Sequence, residues 1–366
     1  MISLGILYGG RSGEHDVSLC SAASIVSGLD KNKYSITAIG IARSGKWYVQ
    51  DEPVIVEHES FGKILRLEEK GNWKLNHFPS DGRLTLVDSD TGRSVSVDAV
   101  FPAVHGTYCE DGTLQGLLEL ASVPYVGADV VGSSVGMDKD VAKRLLRDSG
   151  IPVVPWETIT SSSWQHDRET LSQKVIDNIG FPLFVKPCCA GSSVGISKVK
   201  KKEELNDAID FGLKFDNKVL VEKGLEVREI ESSVLGNDQP EVSCLGEVIP
   251  NHEFYSYDAK YIDSNGAQLV IPAKLDANLE KQIQDWAIKV FLALNCSGMA
   301  RIDFFVEKKT NSVYLNEINT LPGFTSISMY PKLWAESNLP YNKLLDKLIE
   351  LAFERYAAKK RISAVL

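Results

Sequence analysis

The sequence predicts an α/β protein whose chain opens with a doubly wound parallel sheet and continues in mixed α/β units. An apolar strand at residues 4–8 runs into a glycine turn and then into an apolar helix, which is how a doubly wound unit begins. Further apolar strands and helix-spaced apolar residues alternate along the chain. The length of 366 residues exceeds one typical domain of ~100–200 residues, so we expect two or three units.

The composition is that of a globular protein and excludes several classes. Hydrophobic residues make up 43% of the chain and charged residues 24%, which excludes a disordered, collagen-like or coiled-coil protein. The formal net charge of -9 argues against a protein that coats nucleic acid or anionic lipid. Any anion site must therefore be a local cluster of basic groups.

The sequence carries no signal for export or for a membrane. The first residues enter an apolar strand without a basic leader segment, and no apolar run approaches the ~20 residues that cross a bilayer. The six cysteines show no Cys-x-x-Cys spacing, which indicates neither a zinc site nor a disulfide framework. We expect a cytoplasmic protein.

The first predicted unit covers residues 1–125. Its second strand is residues 34–41, and the polar, weakly patterned stretch 51–93 is interpreted as an insertion with hairpins. An apolar strand at residues 98–104 brings His105 to its carboxyl end. Ligands of open α/β sheets bind at that edge, so His105 is a candidate site residue.

Two further units are predicted, at residues 126–216 and 217–366. In the second, we expect a helix at 138–146, a strand at 181–187 and a helix at 201–213. In the third, we expect strands at residues 219–222, 229–235 and 300–306. One helix should bury a stripe of apolar residues at helical spacing: Leu279, Ile283, Trp286, Val290 and Leu294.

Lys186 and the glycine-serine loop at residues 191–195 are a candidate phosphate site. Glycine allows close backbone approach, serine adds hydroxyl donors, and lysine supplies a positive charge. The Walker pattern is absent, so this is not a P-loop. Taken alone, the loop is more typical of a tight turn beside a surface lysine than of a phosphate site.

Oxygen-bearing side chains on two C-terminal strands are a candidate Mg²⁺ site. Period-two alternation puts Arg301 and Asp303 on one strand face, and Glu317 and Asn319 on one face of another. Carboxylate and amide oxygens with nucleotide phosphates suit Mg²⁺, although solvated strand residues with a surface ion pair would show the same spacing. The alternating neighbours are apolar, which favours the metal site: Ile302, Phe304 and Ile318.

A series of short motifs extends this interpretation over residues 3–350. In chain order they are Gly9-Gly10, Ser12, Glu14-His15 and Val17-Ser18; His105-Gly106 and Glu110-Asp111-Gly112-Thr113; Met137-Asp138-Lys139; Lys186-Pro187 and Gly191-Ser192-Ser193-Val194-Gly195; Lys260-Tyr261; Arg301 and Asp303; and Glu317, Asn319-Thr320 and Pro322-Gly323. In this order the chain resembles the D-alanine–D-alanine ligases of the ATP-grasp superfamily. An NAD oxidoreductase is disfavoured because the first turn lacks the third glycine of the dinucleotide fingerprint.

The resemblance implies an ATP-grasp fold behind an N-terminal doubly wound, preATP-grasp-like domain, and an ADP-forming ligase for peptidoglycan precursors. In similar enzymes, the carboxylate of one D-alanine takes the γ-phosphoryl group of ATP, and the amine of a second displaces phosphate through a tetrahedral intermediate. Two Mg²⁺ ions are implied, with Mn²⁺ as an alternative and K⁺ as a candidate activator. A homodimer that contacts neither nucleic acid nor membrane is implied as well, with the active site between the second and third units and capped by the first.

The resemblance also implies roles for nucleotide and metal residues. The α- and β-phosphates would be held by Lys139 and Lys186, with Ser193 also at the ATP site, and the γ-phosphate by Lys260. Adenine would be read by Glu222 with backbone groups of Lys223 and Leu225, and the ribose by Glu229. The metal ligands would be Asp303, Glu317 and Asn319.

For the amino acids, Glu14 would bind the ammonium of the first D-alanine with His105 nearby. The carboxylate and methyl group of the second would meet Ser328 and Met329. Arg301 and the Gly323 N–H would stabilise the oxyanion. Ser192 and Tyr261 would link to Glu14 and close two loops over the site, which would exclude water.

Two alternatives remain open at this stage. One is a ligase that uses D-lactate or D-serine second; similar D-lactate enzymes carry a histidine in the loop where residues 255–261 here resemble the dipeptide-forming type. The other is a nucleotide-binding regulator without catalysis. The chain departs from the family pattern at Cys109, where glycine is usual, and at residues 188–190 before the phosphate loop.

Overall fold

A computed structural model describes residues 1–76, 82–251 and 266–361. In those residues the strands are β1 (Ile2–Gly9), β2 (Tyr34–Ile41), β3 (Trp47–Val49), β4 (Ile55–His58), β5 (Gly62–Leu65), β6 (Trp73–Leu75), β7 (Leu84–Asp88), β8 (Ser94–Val97), β9 (Ala99–Pro102), β10 (Trp156–Thr160), β11 (Leu183–Pro187), β12 (Ser197–Val199), β13 (Lys218–Lys223), β14 (Val227–Gly236), β15 (Glu241–Val242), β16 (Gly246–Pro250), β17 (Ala267–Val270), β18 (Gly298–Glu307) and β19 (Val313–Asn319). The helices are α1 (His15–Gly28), α2 (Thr113–Leu120), α3 (Val130–Met137), α4 (Lys139–Asp148), α5 (Ser161–His166), α6 (Arg168–Asn178), α7 (Leu205–Gly212), α8 (Ala277–Ala293), α9 (Met329–Glu336) and α10 (Tyr341–Lys360), with a 3₁₀ turn at Lys202–Glu204.

The first sheet has the strand order β3-β2-β1-β9, and β1 is parallel to both β2 and β9. The predicted parallel opening of the chain is therefore confirmed. The predicted hairpins of the insertion are present as the β4-β5 pair and the β6-β7-β8 meander. Because β9 ends at Pro102, the chain leaves the sheet shortly before His105 and brings it to the carboxyl edge.

The second sheet is antiparallel, with the order β10-β13-β11-β12. Strand β13 lies in the interior of this sheet, whereas residues 219–222 are predicted to belong to the third unit. The strand pairs with β10 on one side and β11 on the other, and Val219, Leu220 and Val221 are fully buried. Local pattern predicts a strand here, but its sheet partners are set by pairing with distant residues.

The third sheet has the order β17-β16-β14-β18-β19, with β15 pairing to β14. Helix α8 packs on it through the predicted stripe, in which Leu279, Ile283 and Val290 are buried and Trp286 is half-buried. The predicted helix at residues 201–213 begins as a 3₁₀ turn and continues as α7.

Helix α10 returns the end of the chain to the first sheet. Leu344, Leu345 and Leu348 share one core with residues of β1, β9 and α1. Burial of these side chains stabilises the contact by roughly 1.5–3 kcal/mol for each large apolar residue. The same core includes Leu235 of β14 and Met299 of β18, so the first and third sheets are held together by a continuous apolar core.

Among the helices that the structure describes, none combines the length and the apolar character needed to span a bilayer. The six cysteines carry free thiols. Burial raises the pKa of the Cys109 thiol, which lies against the first glycine turn.

Candidate active site

A cavity of about 430 Å³ opens where residues attached to all three sheets meet. Many of the predicted site residues line it: Glu14, His105, Lys139, Ser192, Arg301, Glu317, Asn319, Gly323, Ser328 and Met329. Glu14 and His105 follow strands of the first sheet, and Lys139 and Ser192 belong to α4 and the phosphate loop. The remaining residues lie on the third sheet or in the segment that follows β19. Residues that are distant in sequence are thus brought together around one cavity.

The first glycine turn positions Glu14 at the start of α1. The Gly9 N–H donates to Ser18 Oγ at 2.7 Å, and Gly10 O lies 2.8 Å from His15 Nδ1. These bonds hold the turn against the first turn of the helix. Glu14 is the N-cap residue of α1, yet its side chain makes no capping hydrogen bond. Its carboxylate is directed into the cavity.

Glu14 connects the first sheet to the phosphate loop. Its carboxylate accepts a short hydrogen bond from the hydroxyl of Ser192. Ser192 and Ser193 adopt left-handed φ values of 50° and 60°, which an L-residue adopts at some cost. A side chain at Gly106 would place its Cβ 2.6 Å from Glu14 Oε2, so glycine is required there for the carboxylate to keep its position.

His105 and Glu110 form a buried pair beside Glu14. His105 Nδ1 lies 3.0 Å from Leu321 O and 3.5 Å from Glu110 Oε1, and Nε2 lies 3.0 Å from Ser21 Oγ. Burial opposes the charged imidazolium, but Glu110 and Glu14 outweigh it and raise the pKa of His105. Burial raises the pKa of the Glu110 carboxyl. The pair holds the imidazole in place between the first sheet and the loop that follows β19.

Arg301 is a half-buried cation of the third sheet that faces the cavity. Its Nε and Nη2 donate to the two oxygens of Asp303 at 2.9 and 2.7 Å, and its Nε lies 3.0 Å from Glu231 Oε2. Burial alone would disfavour the charge, but Asp303 and Glu231 raise the pKa of Arg301 well above its usual value. The guanidinium is therefore a fixed positive charge at the cavity wall. Arg301 and Asp303 share one face of the strand, as the alternation of residues 301–303 predicts.

The predicted metal ligands face each other across β18 and β19. Asp303 is the register partner of Glu317, and Arg301 is the register partner of Asn319. Nowhere in the described ranges do three or more His, Cys, Asp or Glu side chains converge as a metal site. Mg²⁺ is usually held by one or two carboxylates and by substrate phosphates, so this oxygen-only set fits such an ion once a nucleotide is present.

The predicted phosphate lysines belong to two different environments. Lys139 donates to Ala190 O at 2.9 Å and lies 3.6 Å from Glu317 Oε2, at the cavity. Lys186 Nζ lies 2.6 Å from Glu222 Oε2. Burial opposes its charge, but Glu222 raises the pKa of Lys186.

The residues predicted to read adenine and ribose lie along β13 and β14. Glu222 is 2% exposed and is paired with lysines rather than open to a base. Lys223 ends β13 on the exposed surface, Leu225 follows it half-buried, and Glu229 is half-buried on β14. Their contacts with a nucleotide stay a prediction.

The candidate subsite for the second amino acid lies at the start of α9. Ser328 is its N-cap residue, and its Oγ accepts from the Thr325 N–H at 3.0 Å. A Cβ at Gly323 would lie 2.8 Å from Ser328 Oγ, so the absent side chain leaves room for the hydroxyl. Met329 is buried against Val248 and Leu333. Two predicted residues, Lys260 and Tyr261, lie outside the described residues.

Sequence reasoning gave no role to several groups at the site. Glu110 opens the Glu110-Asp111-Gly112-Thr113 motif, but only the structure pairs it with His105. Glu231 follows Glu229 by two residues, so the period of a strand could have placed it on the same face. Lys143 follows Lys139 by one helical turn, and that spacing was a usable signal for a second inward lysine.

Lys139 and Arg301 line the cavity directly beside the strand-borne carboxylates of Glu317 and Asp303. Cations and carboxylates placed together in this way suit an enzyme that transfers phosphoryl groups from a nucleotide. The family model of the D-ala D-ala ligase N-terminus matches residues 3–128, and that of the D-ala D-ala ligase C-terminus matches residues 145–350. The chain belongs to the D-alanine–D-alanine ligase family. It is an ADP-forming ligase with the ATP-grasp fold, as the sequence predicts.

Individual members of the family are similar to this chain over nearly its full length. The chain is 46% identical over 365 residues to D-alanine–D-alanine ligase A of Bradyrhizobium diazoefficiens, which covers 99% of this chain and 97% of that enzyme. It is similar to the solved D-alanine–D-alanine ligase of Coxiella burnetii, with a TM-score of 0.83, 40% identity and coverage of 98% and 96%. It is also similar to the VanG D-Ala:D-Ser ligase of Enterococcus faecalis, with a TM-score of 0.81, 35% identity and coverage of 96% and 99%.

Proposed function

We propose that this chain joins two molecules of D-alanine to D-alanyl-D-alanine, with ATP converted to ADP and phosphate, to supply peptidoglycan precursors. One observation carries the proposal. Glu14, Ser192 and Arg301 come from the three separate sheet regions and line the same cavity. An ammonium subsite, a phosphate loop and an oxyanion donor are therefore within reach of one small substrate.

Glu14 would bind the ammonium group of the first D-alanine. The carboxylate is fixed by Ser192 and lies at the start of α1, next to the buried His105. A charge-assisted bond to an ammonium group contributes about 1.5–3 kcal/mol. The substrate carboxylate would then have to lie toward the bound ATP, where it can attack the γ-phosphorus.

Phosphoryl transfer depends mainly on positioning and neutralisation of charge. Lys139 and Lys186 would hold the α- and β-phosphates, with Lys260 at the γ-phosphate and Ser193 in the loop above. Asp303, Glu317 and Asn319 would hold Mg²⁺, with Mn²⁺ as a substitute and K⁺ as an activator. When bound, the divalent ion would neutralise phosphate charge.

The acyl phosphate would then be attacked by the amine of a second D-alanine, whose carboxylate meets Ser328 and whose methyl group meets Met329. The carbonyl oxygen gains charge as the tetrahedral intermediate forms. Arg301 and the Gly323 N–H would stabilise it, since donors that are already in place need no reorganisation. Ser192 and Tyr261 would keep two loops closed and exclude water.

A ligase that uses D-serine second is the main alternative, because a D-Ala:D-Ser ligase is among the similar structures. The subsite formed by Ser328 and Met329 favours a small, apolar substituent, since Met329 is packed in an apolar cluster. We therefore favour D-alanine. A homodimer and a cytoplasmic location complete the proposal.

A panel of second substrates tests this choice. The enzyme with ATP and Mg²⁺ is given D-alanine alone, and then D-alanine with D-serine or D-lactate. We expect one ADP for each D-alanyl-D-alanine, with the dipeptide as the main product in every mixture. A depsipeptide or D-alanyl-D-serine as the main product would overturn the choice of second substrate, and ATP binding without turnover on any pair would contradict the ligase itself.

A further inference from the structure

A buried three-residue charge cluster, formed by Lys143, Glu222 and Lys186, lies between α4 and the second sheet. Lys143 Nζ makes a short ion pair with Glu222 Oε1, while Lys186 Nζ lies 2.6 Å from Glu222 Oε2. One carboxylate thus bridges two ammonium groups. Lys143 and Glu222 are each 2% exposed, so solvent screens the pair very little.

Lys143 has no surface for a ligand of its own. Besides Glu222, its ammonium donates to Val154 O at 3.3 Å and lies 5.5 Å from the centre of the Trp156 ring. Burial lowers the pKa of Lys143, and Glu222 opposes that shift. Burying the Lys143 ammonium carries a desolvation penalty, which only a closely and precisely placed carboxylate such as that of Glu222 can offset.

We propose that Lys143 is a positioning residue for nucleotide binding: it holds one oxygen of Glu222 so that the other oxygen fixes the Lys186 ammonium at the phosphate site. This rests on the proposed function, in which Lys186 binds phosphate. Lys139 and Lys143 are one turn apart on α4, so the same helix supplies a phosphate lysine directly and orients a second one through Glu222.

The cluster explains how Lys186 can be held by Glu222 and still be available to a phosphate, which a simple Glu222–Lys186 pair would not. A lone carboxylate would attract Lys186 strongly and compete with the nucleotide phosphates for its ammonium. With Lys143 present, the carboxylate is shared between two cations, and Lys143 and Lys186 together lower the pKa of Glu222 against the effect of burial. Lys186 keeps its orientation, and its remaining hydrogens can still meet an anion.

The test is Lys143→Met, with Lys143→Gln as a second variant that keeps a hydrogen-bond donor for Glu222 and serves if the first fails to fold. A matched control is Lys218→Met. Lys218 also joins β13 to α4, with its Nζ 2.6 Å from Asp138 Oδ2 and 3.4 Å from Asp140 Oδ2, but it does not contact Glu222. Thermal unfolding of each variant measures the structural cost separately.

Affinity is measured directly, by calorimetric titration with Mg²⁺ and a non-hydrolysable ATP analogue, so the result does not depend on which amino acids are joined. We expect the Kd of the analogue to rise on the order of tenfold in Lys143→Met, the size of one charge-assisted hydrogen bond. It should rise less in Lys143→Gln, whose amide can still donate to Glu222, and change little in Lys218→Met. In the ligase assay, KM for ATP should rise in proportion while kcat and KM for D-alanine change less.

A double-variant cycle tests whether Lys143 acts through Glu222. Once Glu222→Gln has removed the bridge, we expect adding Lys143→Met to weaken nucleotide binding little further. Equal Kd values for the Lys143 variants and wild type would overturn the proposal, as would independent, additive effects of the two substitutions. Failure of wild type to make dipeptide would instead contradict the proposed function and leave the binding result interpretable.

Discussion

Arg301→Met is expected to lower kcat of dipeptide synthesis by about 10²–10³-fold, the typical cost of removing one donor to a developing oxyanion. Methionine keeps much of the volume of the side chain but removes the charge and its donors. Because Asp303 and Glu231 raise the pKa of Arg301 well above its usual value, wild type stays charged throughout any working pH range. The loss should therefore be independent of pH and should be seen in initial rates of ADP release.

Arg228→Met is the matched control for this substitution. Arg228 also makes a two-point contact with a carboxylate, to Glu247 at 2.8 and 2.7 Å, but on the face of β14 opposite to Glu231. Its removal costs a comparable ion pair away from the cavity. Equal losses of activity in the two variants at equal thermal stability would show that Arg301 acts only through the fold.

Glu14→Gln is expected to lower kcat/KM for D-alanine by roughly 10–100-fold, because the charge-assisted bond to the substrate ammonium is lost. The amide can still accept from the Ser192 hydroxyl, so the loop contact survives. Affinity for the ATP analogue should remain close to that of wild type. Steady-state rates at varied D-alanine and saturating ATP measure the effect.

Asp16→Asn is the control for Glu14. Asp16 is the acidic residue in the first turn of α1, and it pairs with Arg43 at 2.8 Å on the surface. Loss of an exposed pair of this kind changes stability by about 0–1 kcal/mol. A similar fall of kcat/KM in both variants would mean that charge at the helix start, rather than contact with the substrate, is what matters.

The residues of the site differ in how far the sequence predicts them. Arg301 and Asp303 could be placed on one face because strand periodicity is a local rule, and the structure joins them by two hydrogen bonds. The link from Glu14 to Ser192 spans 178 residues and came only from resemblance to the family. No local pattern determines which distant loop approaches a helix start.

The buried charge cluster of Lys143, Glu222 and Lys186 shows most clearly which contacts cannot be predicted from sequence patterns. Helical spacing relates Lys143 to Lys139, but the ion pair with Glu222 depends on α4 lying over β13. That position follows from β13 entering the second sheet between β10 and β11, which residues 218–223 do not encode by themselves. Contacts that depend on the pairing of strands distant in sequence are therefore the part of the site that sequence patterns do not predict.

The enzyme is proposed to join two D-alanines through an acyl phosphate. The transfer of a carboxylate oxygen from D-alanine to the released phosphate tests this most directly. D-Alanine labelled with ¹⁸O in its carboxylate is incubated with enzyme, ATP and Mg²⁺, and the released phosphate is analysed by mass spectrometry. If the carboxylate attacks the γ-phosphorus and the amine then expels phosphate, each phosphate should carry one ¹⁸O from the first D-alanine. Dipeptide formed with unlabelled phosphate would contradict the account.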